Sequence, residues 1–324
     1  MLKNLCVISI GRLFLGITLL LSTPIPLSFA TLPSDKHITI IQIVEHPALD
    51  ATRLGILDEL KDHSIKIDFQ SAQGNAALAA QIAQKFVGLA PQVMVGIGTT
   101  STQALISANQ RSLIPIVFSS VTDPKGAKLV QNFKSPEGIV TGVSNYSDPR
   151  MQFEIFKKIL PTLSKIGIIY NPGEPNSVAL VEAMKKIANT QNLHLKFATA
   201  NTTADVVQAT HSLLSHVEAI FINNDNTALS AFDAIVKICT EQKIPVFCSD
   251  TAMIERGALA AVGPNQYEIG RQTGKIILQI LAGESPHHIP IIFSTKNEIR
   301  LNFIQAAKLG LKLPEDLATP PLHE

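Results

Sequence analysis

The sequence predicts an α/β protein with two Rossmann-like, doubly wound lobes and a cleft between them. Short runs rich in β-branched residues alternate with amphipathic helical patterns, which is typical of parallel strands joined by helices. The predicted strands are apolar without interruption, as expected for strands that helices cover on both faces. The 324 residues exceed one typical domain, and the alternation occurs in two separate series, so two lobes are expected.

The first series contains five predicted strands, at 37–44, 65–70, 93–97, 114–119 and 138–144. Predicted helices near 48–62, 75–89 and 100–110 separate the first four of these strands. The second series contains strands at 166–170, 193–199, 219–224, 244–249 and 258–263, with helices near 149–160, 175–190, 203–215 and 227–241. A long helix at 265–282 and a tail at 290–324 remain, and these segments are candidates for crossing back between the lobes.

The composition is that of a folded protein without a strong electrostatic partner. Apolar residues make up 46% of the chain and charged residues 16%, which allows a sizeable core and argues against disorder. The formal charge is +1, and the chain has no long run of like charges. Electrostatic binding to nucleic acid or to an anionic membrane is therefore not expected.

The first thirty residues are predicted to be a signal peptide. Lys3 and Arg12 precede the apolar run LFLGITLLL, and Ser28 and Ala30 fit the small-residue positions of a signal-peptidase site. Cleavage after Ala30 would leave a mature chain that starts at Thr31. The apolar run is shorter than the ~20 residues that a membrane-spanning helix needs, so we expect export to the periplasm without an anchor.

Two cysteines remain in the mature chain after this cleavage. Cys239 is predicted on a helix and Cys248 at the end of the next strand. Export permits a disulfide between them, and two buried thiols are equally compatible with these positions.

Polar residues follow six of the predicted strands, where parallel sheets of this kind bind their ligands. Helix capping would explain any one of these loops, because Ser, Thr, Asn and Asp cap helices well. The repetition in six loops and two lobes instead favours a ligand cleft. The candidate binding residues in these loops are Glu45, Thr99, Thr100, Ser101, Ser120, Thr122, Asp123, Tyr170, Asn171, Glu174, Asn176, Asn224, Asp225, Asn226 and Asp250.

The chemistry of these loops suggests an α-amino acid. Free N–H groups at a helix start, together with the hydroxyl groups of residues 99–101, can hold a carboxylate. Asp225, Asp250 or Glu174 could receive an ammonium group from the other lobe. Our hypothesis is that the 99–101 loop grips the ligand carboxylate and that Asp225 receives the ammonium group.

Catalytic, nucleotide-binding and metal-binding motifs are weak or missing in the sequence. The GIGTTS segment at 96–101 begins like a dinucleotide fingerprint but lacks its third glycine. His211 and His216 are five residues apart, which does not place them on one helix face. The sequence has no Cys–His metal spacing and no G-x-S-x-G nucleophile elbow, so we predict no catalytic residue, metal or cofactor.

Several segments together resemble a known family. They are IVEHPALDATRLG (43–55), AQGN (72–75), IPIVFSSVTDPKGAKLV (114–130), VTGVS (140–144), IGIIYNPGEPNSVALVEAMKK (166–186), DNTALSAFDAI (225–235), IPVFCSD (244–250) and RGALAAVGPNQYEIGRQTGKIILQILAGE (256–284). In this order they are similar to the extracytoplasmic solute-binding proteins of ABC transporters associated with tryptophan and tyrosine uptake. The resemblance covers almost all of the mature chain.

The resemblance implies the type I periplasmic binding protein architecture, with three crossovers near 144–147, 263–265 and 285–291. The expected N-terminal lobe is then 31–144 plus 265–290, and the expected C-terminal lobe is 145–264 plus 291–324. The implied function is capture of an amino acid by a monomer that presents it to an inner-membrane ABC permease, without catalysis.

The aromatic content departs from what an indole-binding cleft suggests. The mature chain has no Trp and only three Tyr (Tyr146, Tyr170 and Tyr267), so aromatic walls are limited to these and to Phe residues such as Phe118. An aromatic L-amino acid is the favoured ligand. The alternatives are a ligand-sensing module for a membrane receptor and a two-lobed enzyme similar to glycosyltransferases.

Overall fold

The computed structural model describes residues 36–136, 138–294 and 297–317. The described strands are β1 (Lys36–Gln42), β2 (Ile65–Ser71), β3 (Val93–Ile97), β4 (Ile116–Val121), β5 (Val140–Ser144), β6 (Lys165–Tyr170), β7 (His194–Thr199), β8 (Ala219–Ile222), β9 (Val246–Cys248), β10 (Ala260–Gly263), β11 (Ile292–Phe293) and β12 (Glu298–Leu301). The α-helices are α1 (Pro47–Leu60), α2 (Ala76–Gly88), α3 (Thr99–Ala108), α4 (Pro149–Ile159), α5 (Pro175–Ala188), α6 (Val206–Leu213), α7 (Asn226–Ser230), α8 (Phe232–Glu241), α9 (Gln266–Leu281) and α10 (Phe303–Leu309). The predicted signal peptide lies outside the described residues.

The strands form two six-stranded sheets, one in each lobe. The order in the first is β11-β5-β4-β3-β1-β2, and the order in the second is β12-β10-β9-β8-β6-β7. Every neighbouring pair is parallel except β10 and β12, which are antiparallel. The ten strands and the two-lobed α/β class predicted from the sequence are confirmed. The short strands β11 and β12 come from the tail, where no strand was predicted.

Each sheet is buried between layers of helices. The first sheet and its helices share one apolar cluster, whereas clusters lie on both faces of the second sheet. On one of those faces Phe156 stacks on Phe247, with ring centroids 4.2 Å apart, and also contacts Phe153 and Phe221 edge to face. Much of the aromatic content of the second lobe is therefore used in its core.

Helix α9 returns to the first lobe after the second sheet is complete. It packs against α1 through two glycines that bring the backbones into contact. A Cβ on Gly270 would lie 2.0 Å from the carbonyl oxygen of Thr52, and one on Gly55 would lie 2.1 Å from that of Tyr267. Helix α9 therefore packs on the first lobe.

The chain changes lobe three times. The first two changes follow β5 and β10, close to the expected positions. The third expected position, 285–291, is too early because Ile292 and Phe293 still pair with Val143 and Ser144 in the first sheet. The third connection therefore lies between β11 and β12, and the predicted change of lobe at 290/291 should move at least three residues towards the C-terminus.

Cys239 and Cys248 are both buried and unpaired. They lie in the apolar cluster between α8 and β9, and burial raises the pKa of the Cys239 thiol to about 12. Of the two alternatives left open by the sequence, the structure therefore shows two buried thiols. None of the helices in the described part of the chain has the length and apolar character needed to cross a membrane.

Candidate ligand-binding site

The carboxyl ends of the two sheets enclose a cavity of about 20 Å³ between the lobes. Its polar walls come from the first lobe (His46, Thr99, Ser120, Thr122 and Gln266), the first crossover (Asn145) and the second lobe (Asn176, Asn224 and Asn226). Its apolar walls are Ala48, Leu49 and Leu229. None of these lining residues is a carboxylate, a lysine or an arginine. We call this space the interlobe cavity.

The first lobe presents the start of α3 to the cavity. Gly98 caps this helix with a φ of 92° and has no side chain to occupy the free N–H groups of the first turn. A Cβ at Gly98 would lie 2.9 Å from Cγ2 of Ile43, so the close approach also requires glycine. Thr99 is buried, and its hydroxyl group has no hydrogen-bond partner. The arrangement can accept an anionic group such as a carboxylate.

Ser120 reaches the cavity through a distorted strand end. Its φ is 54°, a left-handed conformation that is uncommon for serine, and the pairing of β4 with β5 is irregular at this point. The distortion lets its hydroxyl donate to Oε1 of Gln266 at 2.8 Å and contact the Thr52 hydroxyl at 2.9 Å. Gln266 on the returning helix is thereby held against the first lobe.

Glu174 organises the wall of the second lobe without lining the cavity. Its Oε1 accepts from the backbone N–H and the hydroxyl of Thr227 at 2.9 and 2.7 Å. Its Oε2 accepts from the backbone N–H and Nδ2 of Asn226 at 2.9 and 2.6 Å, and from Nδ2 of Asn176 at 3.1 Å. Two of these five hydrogen bonds fix the side-chain amides of Asn176 and Asn226 in the cavity wall.

Asp225 is fully buried beside this network. Its Oδ1 accepts from the backbone N–H of Ala228 at 2.7 Å, which caps α7, and its Oδ2 accepts from that of Asn171 at 2.6 Å. Burial, followed by the nearby charge of Glu174, raises the pKa of Asp225 to about 7. Both oxygens are used by the backbone, and the side chain is not part of the cavity wall.

One hydrogen bond joins the lobes across the cavity. Nε2 of His46 lies 3.1 Å from Oδ1 of Asn226, and both residues line the cavity. His46 is 5% exposed, and burial lowers its pKa. Asn226 also lines a groove of about 710 Å³ outside the cavity, so this pair lies between the two spaces. We call the larger space the outer groove.

The predicted site residues occupy three kinds of position. The cavity is lined by Thr99, Ser120, Thr122, Asn176, Asn224 and Asn226. The outer groove is lined by Glu45, Thr100, Asn171, Glu174 and Asn226. Outside both spaces lie Ser101, Asp123, Tyr170, Asp225 and Asp250.

The residues outside both spaces have other contacts. The Ser101 hydroxyl donates to the Ile97 carbonyl, and Asp123 accepts from the backbone N–H of Gly126. Asp250 accepts from the backbone N–H of Ala252 at 2.9 Å, and burial raises its pKa to about 6.

No aromatic side chain lines the cavity. Tyr170 packs edge to face on Phe197 with centroids 6.1 Å apart, and Phe118 is in the core of the first lobe. The hydroxyl of Tyr267 donates to Asp58, and Tyr146 borders a separate groove. Aliphatic side chains, amides, hydroxyl groups and the His46 imidazole therefore form the walls that a ligand would contact.

Sequence reasoning did not include three polar lining residues, His46, Asn145 and Gln266. His46 follows Glu45 in the same loop, and Gln266 lies in a segment that carried the family resemblance. A search that weighted every polar residue in these segments would have included His46 and Gln266, whereas Asn145 lies one residue beyond the VTGVS segment. In the described part of the chain, no group of three or more His, Cys, Asp or Glu residues is placed to hold a metal ion.

A family model described as ABC transporter substrate binding protein matches residues 37–323. The chain belongs to this family. It is 34% identical over 273 residues to a tyrosine-binding protein of Clostridioides difficile, covering 82% of this chain and 79% of the relative. The family assignment confirms the resemblance inferred from the sequence and places the chain among extracytoplasmic solute-binding proteins.

Two solved structures of similar proteins differ in how closely this chain superposes on them. An ABC domain from Streptococcus pneumoniae in complex with L-Trp gives a TM-score of 0.84 at 34% identity, covering 88% of this chain and 97% of that one. The ligand-free, open structure of CD0873, a substrate binding protein from Clostridium difficile, gives 0.66 at 34% identity, covering 87% and 97%. At nearly equal identity and coverage, the chain is therefore more similar in structure to the L-Trp complex than to the ligand-free, open structure.

Proposed function

We propose that the protein is the periplasmic substrate-binding component of an ABC importer and that it captures an L-amino acid, with aromatic side chains favoured. The observation that carries the proposal is the interlobe cavity, whose walls from both lobes are polar and uncharged and include buried side-chain atoms without a partner. Such atoms need a hydrogen-bond partner, which a bound ligand can supply. The tyrosine and L-Trp named for the two relatives support the ligand class.

In this proposal the ligand carboxylate lies at the start of α3, near Thr99 and Gly98. The amino group lies towards the second lobe, where the half-buried carboxylate of Glu174, behind the lining amides, makes the potential negative. The side chain lies against Leu49 and Leu229. Because the cavity is enclosed between the two lobes, the lobes separate for ligand entry and close on the ligand.

The protein itself performs no chemical step in this proposal. A monomer with its signal peptide removed binds the ligand and delivers it to an inner-membrane permease. The proposed lobe limits are those predicted from the sequence, with the last boundary moved beyond Phe293.

A thermal-shift screen of the twenty L-amino acids on ligand-stripped protein tests the proposal. A ligand at 100 times its dissociation constant adds ~2.7 kcal/mol to the free energy of unfolding, which gives a measurable shift. We expect tryptophan and tyrosine to give the largest shifts. Stabilisation by a sugar or a peptide, with no response to any amino acid, would contradict the proposed ligand class.

A further inference from the structure

Three residues that line the interlobe cavity carry a buried side-chain atom without a hydrogen-bond partner. These atoms are Nδ1 of His46, Oγ1 of Thr99 and Oδ1 of Asn176. His46 and Asn176 are each 5% exposed, and they come from different lobes. Native structures rarely leave buried polar atoms unpaired, so the chemistry of these atoms describes the ligand group that would pair with them.

The side-chain amides of Asn176 and Asn226 are oriented by neighbouring groups that can only accept hydrogen bonds. Nδ2 of Asn226 donates to Oε2 of Glu174 at 2.6 Å. Nδ2 of Asn176 donates to the same oxygen at 3.1 Å and to the carbonyl oxygen of Asn224 at 2.7 Å. Because a carboxylate and a carbonyl offer no proton, each amide must direct its NH₂ group towards them. The Oδ1 atoms of both amides therefore face other partners.

The same network fixes the tautomer of His46. Oδ1 of Asn226 accepts only, so Nε2 of His46 must carry the hydrogen that joins the two residues at 3.1 Å. Nδ1 of the neutral ring is then an acceptor. Burial lowers the pKa of His46 and so favours this neutral form, and the positive charge of Arg256 acts in the same direction. The hydrogen bond to Asn226 and the charges of Asp50 and Glu174 raise the pKa by smaller amounts. Glu174 thus acts on His46 through Asn226 as a positioning residue.

Besides the Thr99 hydroxyl, which can both donate and accept, the cavity walls carry two unpaired atoms that only accept, Nδ1 of His46 from the first lobe and Oδ1 of Asn176 from the second. A single ligand atom that pairs with both acceptors must carry at least two hydrogens. A carboxylate offers none and a hydroxyl group offers one, whereas a primary ammonium offers three in a tetrahedral arrangement. The negative charge of Glu174, directly behind both amides, favours a cation at this point.

On the basis of the amino-acid ligand proposed above, we propose that Nδ1 of His46 and Oδ1 of Asn176 accept hydrogen bonds from the ligand ammonium group. One ammonium then bridges the two lobes, so its recognition and lobe closure are the same event. A histidine used in this way requires its neutral form. Protonation of His46 would replace the acceptor by a donor facing a cation.

The test compares L-tryptophan with indole-3-propionate, which keeps the carboxylate and the ring but lacks the amino group. The protein contains no Trp, so the fluorescence of either probe reports binding directly. His46→Gln keeps an amide N–H near the position of Nε2, to donate to Asn226, but removes the Nδ1 acceptor. His63→Gln makes the same substitution at an exposed histidine and serves as the matched control.

We expect wild-type protein to bind L-tryptophan more tightly than indole-3-propionate by at least roughly 10-fold. His46→Gln should weaken L-tryptophan binding roughly 10- to 100-fold and leave indole-3-propionate binding nearly unchanged. The wild-type affinity for L-tryptophan should also fall once the pH drops below the lowered pKa of His46, which lies under the ordinary histidine value of 6.5. His46→Gln should lack this component, whereas the titrations of Asp225 and Asp250 remain in both proteins.

Equal losses for both probes in His46→Gln would show a structural role and overturn the inference, as would no loss for either. Nitrogen-15 NMR of histidine-labelled wild-type protein gives a second measurement that needs no ligand. An Nδ1–H tautomer for His46 would overturn the inference even if the variant failed to fold. If wild-type protein bound neither L-tryptophan nor L-tyrosine, the proposed function would fail together with the inference. If wild-type protein bound L-tryptophan but His46→Gln caused no selective loss, the inference would be refuted and the proposed function would stand.

Discussion

Replacing Asp225 with asparagine should change how the free energy of unfolding depends on pH, while the fold is kept. Asp225 ionises at about pH 7 in the folded protein, against an ordinary value of 3.8, because it is desolvated and lies near Glu174. An acid whose folded pKa is raised holds its proton more tightly in the folded state. Between these two pH values the wild type therefore loses stability as the pH rises, and the loss is complete above about pH 7.

The size of the effect follows from this window. About two pH units separate pH 5 from the folded pKa of about 7. Over each of them the wild-type free energy of unfolding falls by ~1.36 kcal/mol. The free energy of unfolding of Asp225→Asn, relative to wild type, should therefore increase by ~2–3 kcal/mol between pH 5 and pH 8. This difference is superimposed on a constant cost, because the asparagine NH₂ cannot accept one of the two backbone N–H groups that Asp225 binds. That constant cost is ~1–3 kcal/mol.

Urea denaturation at pH 5 and pH 8 measures both contributions. Far-UV circular dichroism is the suitable signal because the chain has no tryptophan. Asp62→Asn, at an exposed aspartate, is the matched control and should show no comparable pH-dependent difference. A relative stability of Asp225→Asn that stays constant or decreases between pH 5 and pH 8 would refute the assignment of a raised pKa to this buried carboxyl group.

Two further predictions concern helix packing and export. Gly270→Ala should lower the free energy of unfolding by ~1–3 kcal/mol or more, because the new Cβ would lie 2.0 Å from the Thr52 carbonyl oxygen and force α9 away from α1. Gly88→Ala, whose Cβ would meet no atom within 4 Å, should be nearly neutral in the same denaturation experiment. Mass spectrometry of the periplasmic protein should find an N-terminus at Thr31 within a residue or two. A chain that retained residues 1–30 in the membrane fraction would contradict the predicted cleavage.

The sequence by itself determined the fold class and the edge of each sheet where a ligand would bind. Strand and helix patterns are local properties of the chain, and they repeat often enough here to give ten strands in two series. The polar residues that follow the strands are likewise visible as a local pattern in the sequence. The tail gave no such signal, because β11 and β12 are only two and four residues long and depend on pairing with strands of distant sequence.

Only the tertiary structure decided which of several adjacent polar residues line the cavity. Glu45 is exposed in the outer groove and its neighbour His46 is buried in the cavity wall, while Asp225 is used by the backbone and Asn226 reaches across to His46. One step along a loop reverses the direction of a side chain, and composition does not record that direction. The bond between His46 and Asn226 joins residues 180 positions apart. It exists because the chain changes lobe three times and brings two sheet edges face to face, which no local pattern in the sequence encodes.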